Sequence, residues 1–183
     1  WVRTGVIEGI QIPSSVRDLI QARMADLEPE DRDLLEAAAC CGFEFDPTLV
    51  AEALGVDLMG ALRRFGQIER RHRLIRSAGR RCVFDHHQVQ EALYSGLFPQ
   101  LREEYHAALA TALATREKAA EKDPATLDGA LCVDLCAQFL KGAQGPRALR
   151  YLAAAHAHLE RGYLNDAAIR LTESALAAPG LLA

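Results

Sequence analysis

No phosphate-binding loop of the form GxxxxGK followed by Ser or Thr, no GxSxG elbow, no HExxH pair and no metal quartet occurs in this chain of 183 residues. Nucleotide-dependent enzymes, hydrolases and zinc enzymes build their chemistry on such arrangements. The chain is therefore expected to turn nothing over and to hold no cofactor or metal of its own. Long hydrophobic runs are missing as well. None approaches the roughly 20 residues that span a bilayer, and no basic, then apolar, then small-residue leader is present, so no membrane is expected as a partner. The first residue is Trp1 rather than an initiator Met, from which we expect a piece of a larger protein. None of the five cysteines (Cys40, Cys41, Cys82, Cys132 and Cys136) belongs to a CxxC pair. Their spacing puts them among alanines and leucines, as buried free thiols of a soluble, cytoplasmic chain.

What is present is half hydrophobic and a quarter charged, with a net charge of −4. That average argues against a general nucleic-acid binder, yet the positive charge is concentrated. Between Leu62 and Arg81 stand Arg63, Arg64, Arg70, Arg71, Arg73, Arg76, Arg80 and Arg81, with Glu69 the lone acid. Three readings fit such a patch: phosphates of DNA, an acidic protein surface in cis or in trans, or a solvated face with Glu69 as its only pairing partner.

The periodicity around the patch is mostly helical. Ile12-Pro13-Ser14-Ser15 opens a helix to about Leu27, Pro29 a second stopped by Gly42, and Asp46-Pro47 a third ending at Gly55. Asp57 caps a fourth, to about Arg71, whose inward face is expected to be Leu58, Ala61, Leu62, Phe65 and Ile68. Two short helices across so tight a link form a helix-turn-helix. The period then changes to two. Leu74 to Ser77, a turn at Ala78-Gly79, and Arg80 to Phe84 read as a hairpin, after which Asp85 is expected to cap another helix. Helix, two-stranded wing, helix is the order of a winged-helix domain.

From Gln100 the pattern stays helical, near 100–118, 126–141, 146–161 and 164–177. Ala137-x-x-Leu140-x-Gly142 with Ala148 is echoed by Ala157-x-Leu159-x-x-Gly162 with Ala168, small residues placed as in helical repeats. The second echo is similar to a tetratricopeptide repeat. The apolar end Leu181-Leu182-Ala183 suggests a longer array. The predicted fold class is mainly α, with a linker at 1–12, a winged-helix domain at 13–98 containing the small hairpin, and a helical, tetratricopeptide-like domain at 99–183.

Of the six histidines, His72 and His106 stand alone, and His156 and His158 lie on nearly opposite sides of one helix. All four read as solvated or locally bonded. His86 and His87 differ, standing where a strand becomes a helix, near free backbone amides that suit a phosphate.

Several stretches carry a resemblance. Residues Ile12 to Arg23, then Asp31-Arg32-Asp33-Leu34-Leu35-Glu36 with Gly42-Phe43-Glu44-Phe45, resemble the segment after the ATPase core of large bacterial signalling proteins. Arg71-His72-Arg73-Leu74-Ile75-Arg76, Val83-Phe84-Asp85-His86 and Glu91-Ala92-Leu93-Tyr94 keep the same order. These are STAND-type, AAA-related ATPases fused to protein kinases, nucleotide cyclases or LuxR-like regulators, and the resemblance covers roughly residues 12–178. It implies a winged helix closing over an upstream domain that binds ATP or ADP, followed by helical repeats that receive a signal or protein partner. By position, His86 matches the motif histidine that touches the β-phosphate of bound ADP. Asp85 and His87 stand where that motif has Met and Asp. The alternative is a DNA-binding winged-helix regulator with a helical dimerisation or ligand domain.

Overall fold

The computed structural model describes residues 22–178, which are mainly helical with one small antiparallel sheet. A helical turn at 22–25 leads into α1 (Pro29–Cys41), β1 (Glu44–Phe45), α2 (Pro47–Leu54), α3 (Leu58–Arg71), β2 (Ile75–Ala78), β3 (Arg81–Phe84) and α4 (His87–Gly96). Then follow α5 (Pro99–Arg116), a 3-10 turn (Pro124–Thr126), α6 (Gly129–Lys141), α7 (Gly145–Arg161) and α8 (Asn165–Ala177). The expected linker at 1–12, the helix start at Ser14 or Ser15 and the apolar end at Leu181 lie outside the described residues.

The helix starts follow local chemistry. Pro29, Pro47 and Pro99 open α1, α2 and α5, where a missing N–H costs nothing and φ is already set. The carboxylates of Asp46, Asp57 and Asp128 accept the amides of Thr48, Gly60 and Ala130 at 2.8, 2.7 and 2.7 Å. Gly55, left-handed at φ 64°, makes the tight link from α2 into α3.

The sheet departs from expectation in two places. β1 has no counterpart in the sequence pattern. It pairs with β3, Glu44 opposite Val83 and Phe45 opposite Cys82, so the hairpin becomes part of a three-stranded sheet ordered β1-β3-β2. Two residues are too few to show a strand period, but packing justifies the strand: Phe45 lies 5.5 Å from the Phe65 ring and 5.3 Å from Phe84, all three buried. The hairpin turn is Gly79-Arg80 rather than Ala78-Gly79, because Ala78 pairs with Arg81. Gly79 takes the first turn position at φ 67°, where an L side chain would be strained.

Buried side chains form two clusters. One runs from Leu27 to Leu97 and the other spans α6, α7 and α8. Helix α5 serves both, giving Tyr105 and Leu109 to the first and Ala110 and Ala114 to the second. At this junction His106, 1 % exposed, corrects the sequence expectation of a solvated or locally bonded histidine. The amide oxygen of Gln138 can only accept, so His106 Nδ1–H donates to it at 2.6 Å, and Nε2 accepts the Tyr94 hydroxyl at 3.1 Å. Gln138 Nε2 donates onward to the Cys40 carbonyl at 3.2 Å. One directed chain of hydrogen bonds thus joins α4, α5, α6 and the end of α1.

The echo read in the sequence corresponds to two turns of the same geometry. After α6 and α7 the left-handed residue is Ala143 (φ 54°) and Tyr163 (φ 56°), the one after the glycine. Gln144 N and Leu164 N then reach back to Phe139 O and Leu159 O at 2.8 and 2.9 Å. The glycines themselves differ. A Cβ at Gly142 would sit 2.6 Å from Ala107 N and 2.8 Å from its Cα, whereas one at Gly162 would meet nothing nearer than 3.6 Å. Close approach of α5 and α6 demands glycine only at the first.

Two outcomes follow. Gly142→Ala should destabilise the fold by about 1 to 3 kcal/mol while Gly162→Ala stays within about 0.5 kcal/mol, both read by chemical denaturation. Burial pushes the His106 imidazole down to about 4 from 6.5, with its Gln138 bond opposing. The unfolded chain therefore binds a proton near pH 6.5 that the folded chain refuses until about 4. Stability should fall as pH drops through that window, by about 3 kcal/mol at its lower end. His106→Leu should lower stability at pH 7 by about 2 kcal/mol, leaving Gln138 Oε1 and the Tyr94 hydroxyl unpaired, and should remove that pH slope in denaturation series.

Candidate functional site

The eight arginines divide into two that serve the fold and six that do not. Arg64 reaches across to α1, its Nη1 2.8 Å from Asp31 Oδ1, and Asp31 is itself only 5 % exposed. Arg81 Nε forms an ion pair with Glu44 at 2.9 Å, tying β3 to β1. Arg63, Arg70, Arg71, Arg73, Arg76 and Arg80 are exposed and make no ion pair among the described residues. Glu69, the acid expected to pair with them, is used otherwise. Its two oxygens take the Ser77 amide at 2.7 Å and the Ser77 hydroxyl at 2.8 Å, which clasps β2 to α3. The amide bond above all holds the Glu69 carboxyl below its ordinary range.

Helix α3 also differs from its expected inward face. Ala61, Phe65 and Ile68 are buried, but Leu58 and Leu62 are 39 % and 37 % exposed, with Met59 at 56 % and Val56 at 46 % beside them. The buried residues define a narrow stripe. Leu58 and Leu62 lie at its edge, which the 3.6-residue period reveals only once the stripe is centred on Ala61, Phe65 and Ile68. Between α3, the hairpin and the start of α2 runs an open groove of about 750 Å³. Pro47, Leu62, Phe65 and Gly66 line it together with Glu52, Glu69, Arg80, Arg81 and Arg116. Arg116, from the end of α5, is held there by Asp46 and Glu52.

His86 was expected one residue past the cap, at Asp85. It is the cap. Its Nδ1 accepts the Gln88 amide at 3.2 Å, which in the neutral ring leaves the proton on Nε2 as a free donor on an exposed side chain. Asp85 is exposed and gives its amide to Leu74 O at 2.9 Å. His87 stacks on Phe43, ring centroids 3.8 Å apart. Asp85 fails as the cap because its position still belongs to the strand register.

All five cysteines are free, and burial pushes the Cys40 and Cys41 thiols up to about 12 and Cys136 to about 11, so none is a ready nucleophile. Among the described residues no three His, Cys, Asp or Glu side chains gather to hold a metal, and no helix is long and apolar enough to cross a membrane. His156 bonds Thr172 Oγ1 at 2.6 Å, a structural contact between α7 and α8.

The two kinds of arginine are separable by measurement. Arg64→Ala strands a buried carboxylate and should cost about 1 to 2 kcal/mol, whereas Arg63→Ala should stay within about 0.5 kcal/mol in urea unfolding. No family model, curated protein or solved structure matches this chain.

Proposed function

We propose that the chain is a non-catalytic regulatory and protein-interaction segment of a larger signalling ATPase, in which a winged helix couples the nucleotide state of an upstream domain to a helical-repeat sensor. On this reading the domains are the winged helix to Leu97-Phe98 and a tetratricopeptide-like array from Pro99 onward, both in the cytoplasm. The element order helix, strand, helix, helix, strand, strand, helix with sheet order β1-β3-β2 supports the first domain. The repeated turn geometry after Gly142 and Gly162 supports the second.

The observation that carries the coupling is the place of His86. It stands at the N-terminus of α4, where backbone amides and the helix dipole favour an anion. Because Nδ1 is occupied by the cap, the Nε2–H donor is the one left for the terminal phosphate of a nucleoside diphosphate held next door. The chain's own part is to supply that donor and fix its tautomer. Losing the contact would release α4, and with it the hairpin joined to α4 through Asp85.

A second reading, a DNA-binding regulator, is favoured by Arg63, Gln67 and Arg70, which share the exposed side of α3. It requires duplex binding that falls steeply with salt.

The coupling is tested in the full-length protein with His86→Asn, because asparagine keeps an N-cap acceptor but lacks the second ring nitrogen. We expect unchanged thermal stability and ADP dissociation faster by about tenfold, the loss of a hydrogen bond to a charged group. ADP release at the wild-type rate would leave His86 as a cap alone and defeat the reading.

A further inference from the structure

The groove between α3 and the hairpin has an apolar centre and a positive margin, and the two together specify a partner more narrowly than charge alone. On the apolar side, Leu62 lines the groove beside Phe65 and Pro47, and Met59, the most exposed apolar side chain of α3, lies one turn before Arg63. The groove is also kept open. Gly66 sits in the middle of α3, where glycine is unfavourable by about 1 kcal/mol relative to alanine. Its backbone is not in the left-handed region, and a Cβ there would meet only the mobile guanidinium end of Arg70, at 3.3 Å. Neither conformation nor a close neighbour calls for a glycine at this place, but an incoming side chain would.

The charges divide just as clearly. The acids lining the groove are already engaged: Asp46 and Glu52 by Arg116, and Glu69 by Ser77. Arg63, Arg70 and Arg80 are exposed and unpaired among the described residues. The charged side chains left without a partner there are therefore arginines at the periphery. A nucleic-acid backbone would satisfy the arginines but leave Met59 and Leu62 against phosphate and water. Exposed apolar side chains with unpaired arginines beside them are the composition of a protein interface.

We propose that this groove docks an acidic amphipathic helix of a protein partner. Its apolar side chains lie on Met59 and Leu62 and fill the space above Gly66, and its carboxylates meet Arg63, Arg70 and Arg80. The inference rests on the protein-partner reading of the basic surface and names that partner's chemistry.

The probe is a labelled peptide of about 16 residues, long enough for four helical turns, with leucine at helical third and fourth positions and glutamate elsewhere. Polyglutamate of equal length and a duplex DNA of similar charge serve as comparisons, all measured by fluorescence anisotropy with the full chain at about 0.15 M salt. We expect the peptide to bind at least about tenfold tighter than either comparison. Gly66→Leu should weaken it by about tenfold or more while the thermal midpoint stays equal or rises, since leucine is the better helix former. The double variant Arg63→Glu, Arg80→Glu should weaken it comparably. Peptide affinity equal to that of polyglutamate, or indifferent to Gly66→Leu, would overturn the groove as a docking site, and tighter binding of the duplex would reassign it to nucleic acid. If the peptide fails while His86→Asn still speeds ADP release, the regulatory reading stands and only its docking groove is lost.

Discussion

The hydrogen-bond chain from Tyr94 through His106 and Gln138 to the Cys40 carbonyl is the contact on which the rest of the molecule depends. Two hydrophobic clusters are built from separate runs of sequence, and hydrophobic burial is indifferent to direction, so apolar packing alone would leave their mutual orientation loosely specified. A directed polar chain in a buried place behaves differently. Each member has one partner with which its donor or acceptor is satisfied, and any rotation of α6 against α4 leaves a polar group without one. Nearby, Gln90 adds a parallel link by donating to the Ala39 carbonyl at 2.9 Å. The last turn of α1 thereby becomes an anchor for both clusters.

How far the sequence disclosed this structure depends on the range of the signal. Helix starts at Pro29, Asp46-Pro47 and Asp57, and the change of period at Leu74, are local chemistry, and the elements follow them closely. What could not be read is what depends on partners far along the chain. β1 exists because Phe45 meets Phe65 and Phe84, and no two-residue window contains that fact. His106 looked isolated because Tyr94 and Gln138 are 12 and 32 residues away. The basic stretch was legible as a composition, but its division into structural and unengaged arginines was not, since Asp31 and Glu44 lie outside it. At the strand-to-helix junction the sequence points to Asp85 as the cap, whereas His86 holds that place. Strand register, not propensity, decides which of the two caps the helix.

The surface around α3 combines unpaired arginines with exposed apolar side chains. Glu69 closes on Ser77 instead of pairing with an arginine, which fixes the hairpin and leaves Arg63, Arg70 and Arg80 without an ion pair among the described residues. Leu62 and Met59 then put apolar surface where a nucleic-acid reader would place polar side chains. The selectivity proposed for this surface comes as much from what it refuses as from what it attracts.

The backbone contact at Gly142 has a mechanical meaning beyond its effect on stability. Most helix pairs touch through side chains, which change rotamer and let one helix slide on the other. Where Gly142 meets Ala107 the two main chains approach with no side chain of the glycine between them. Such a joint has no slack. A displacement of α6 would therefore be passed on to α5, and α5 carries Tyr105 and His106 to the first cluster. A residue without a side chain thus makes the joint between α5 and α6 a direct one.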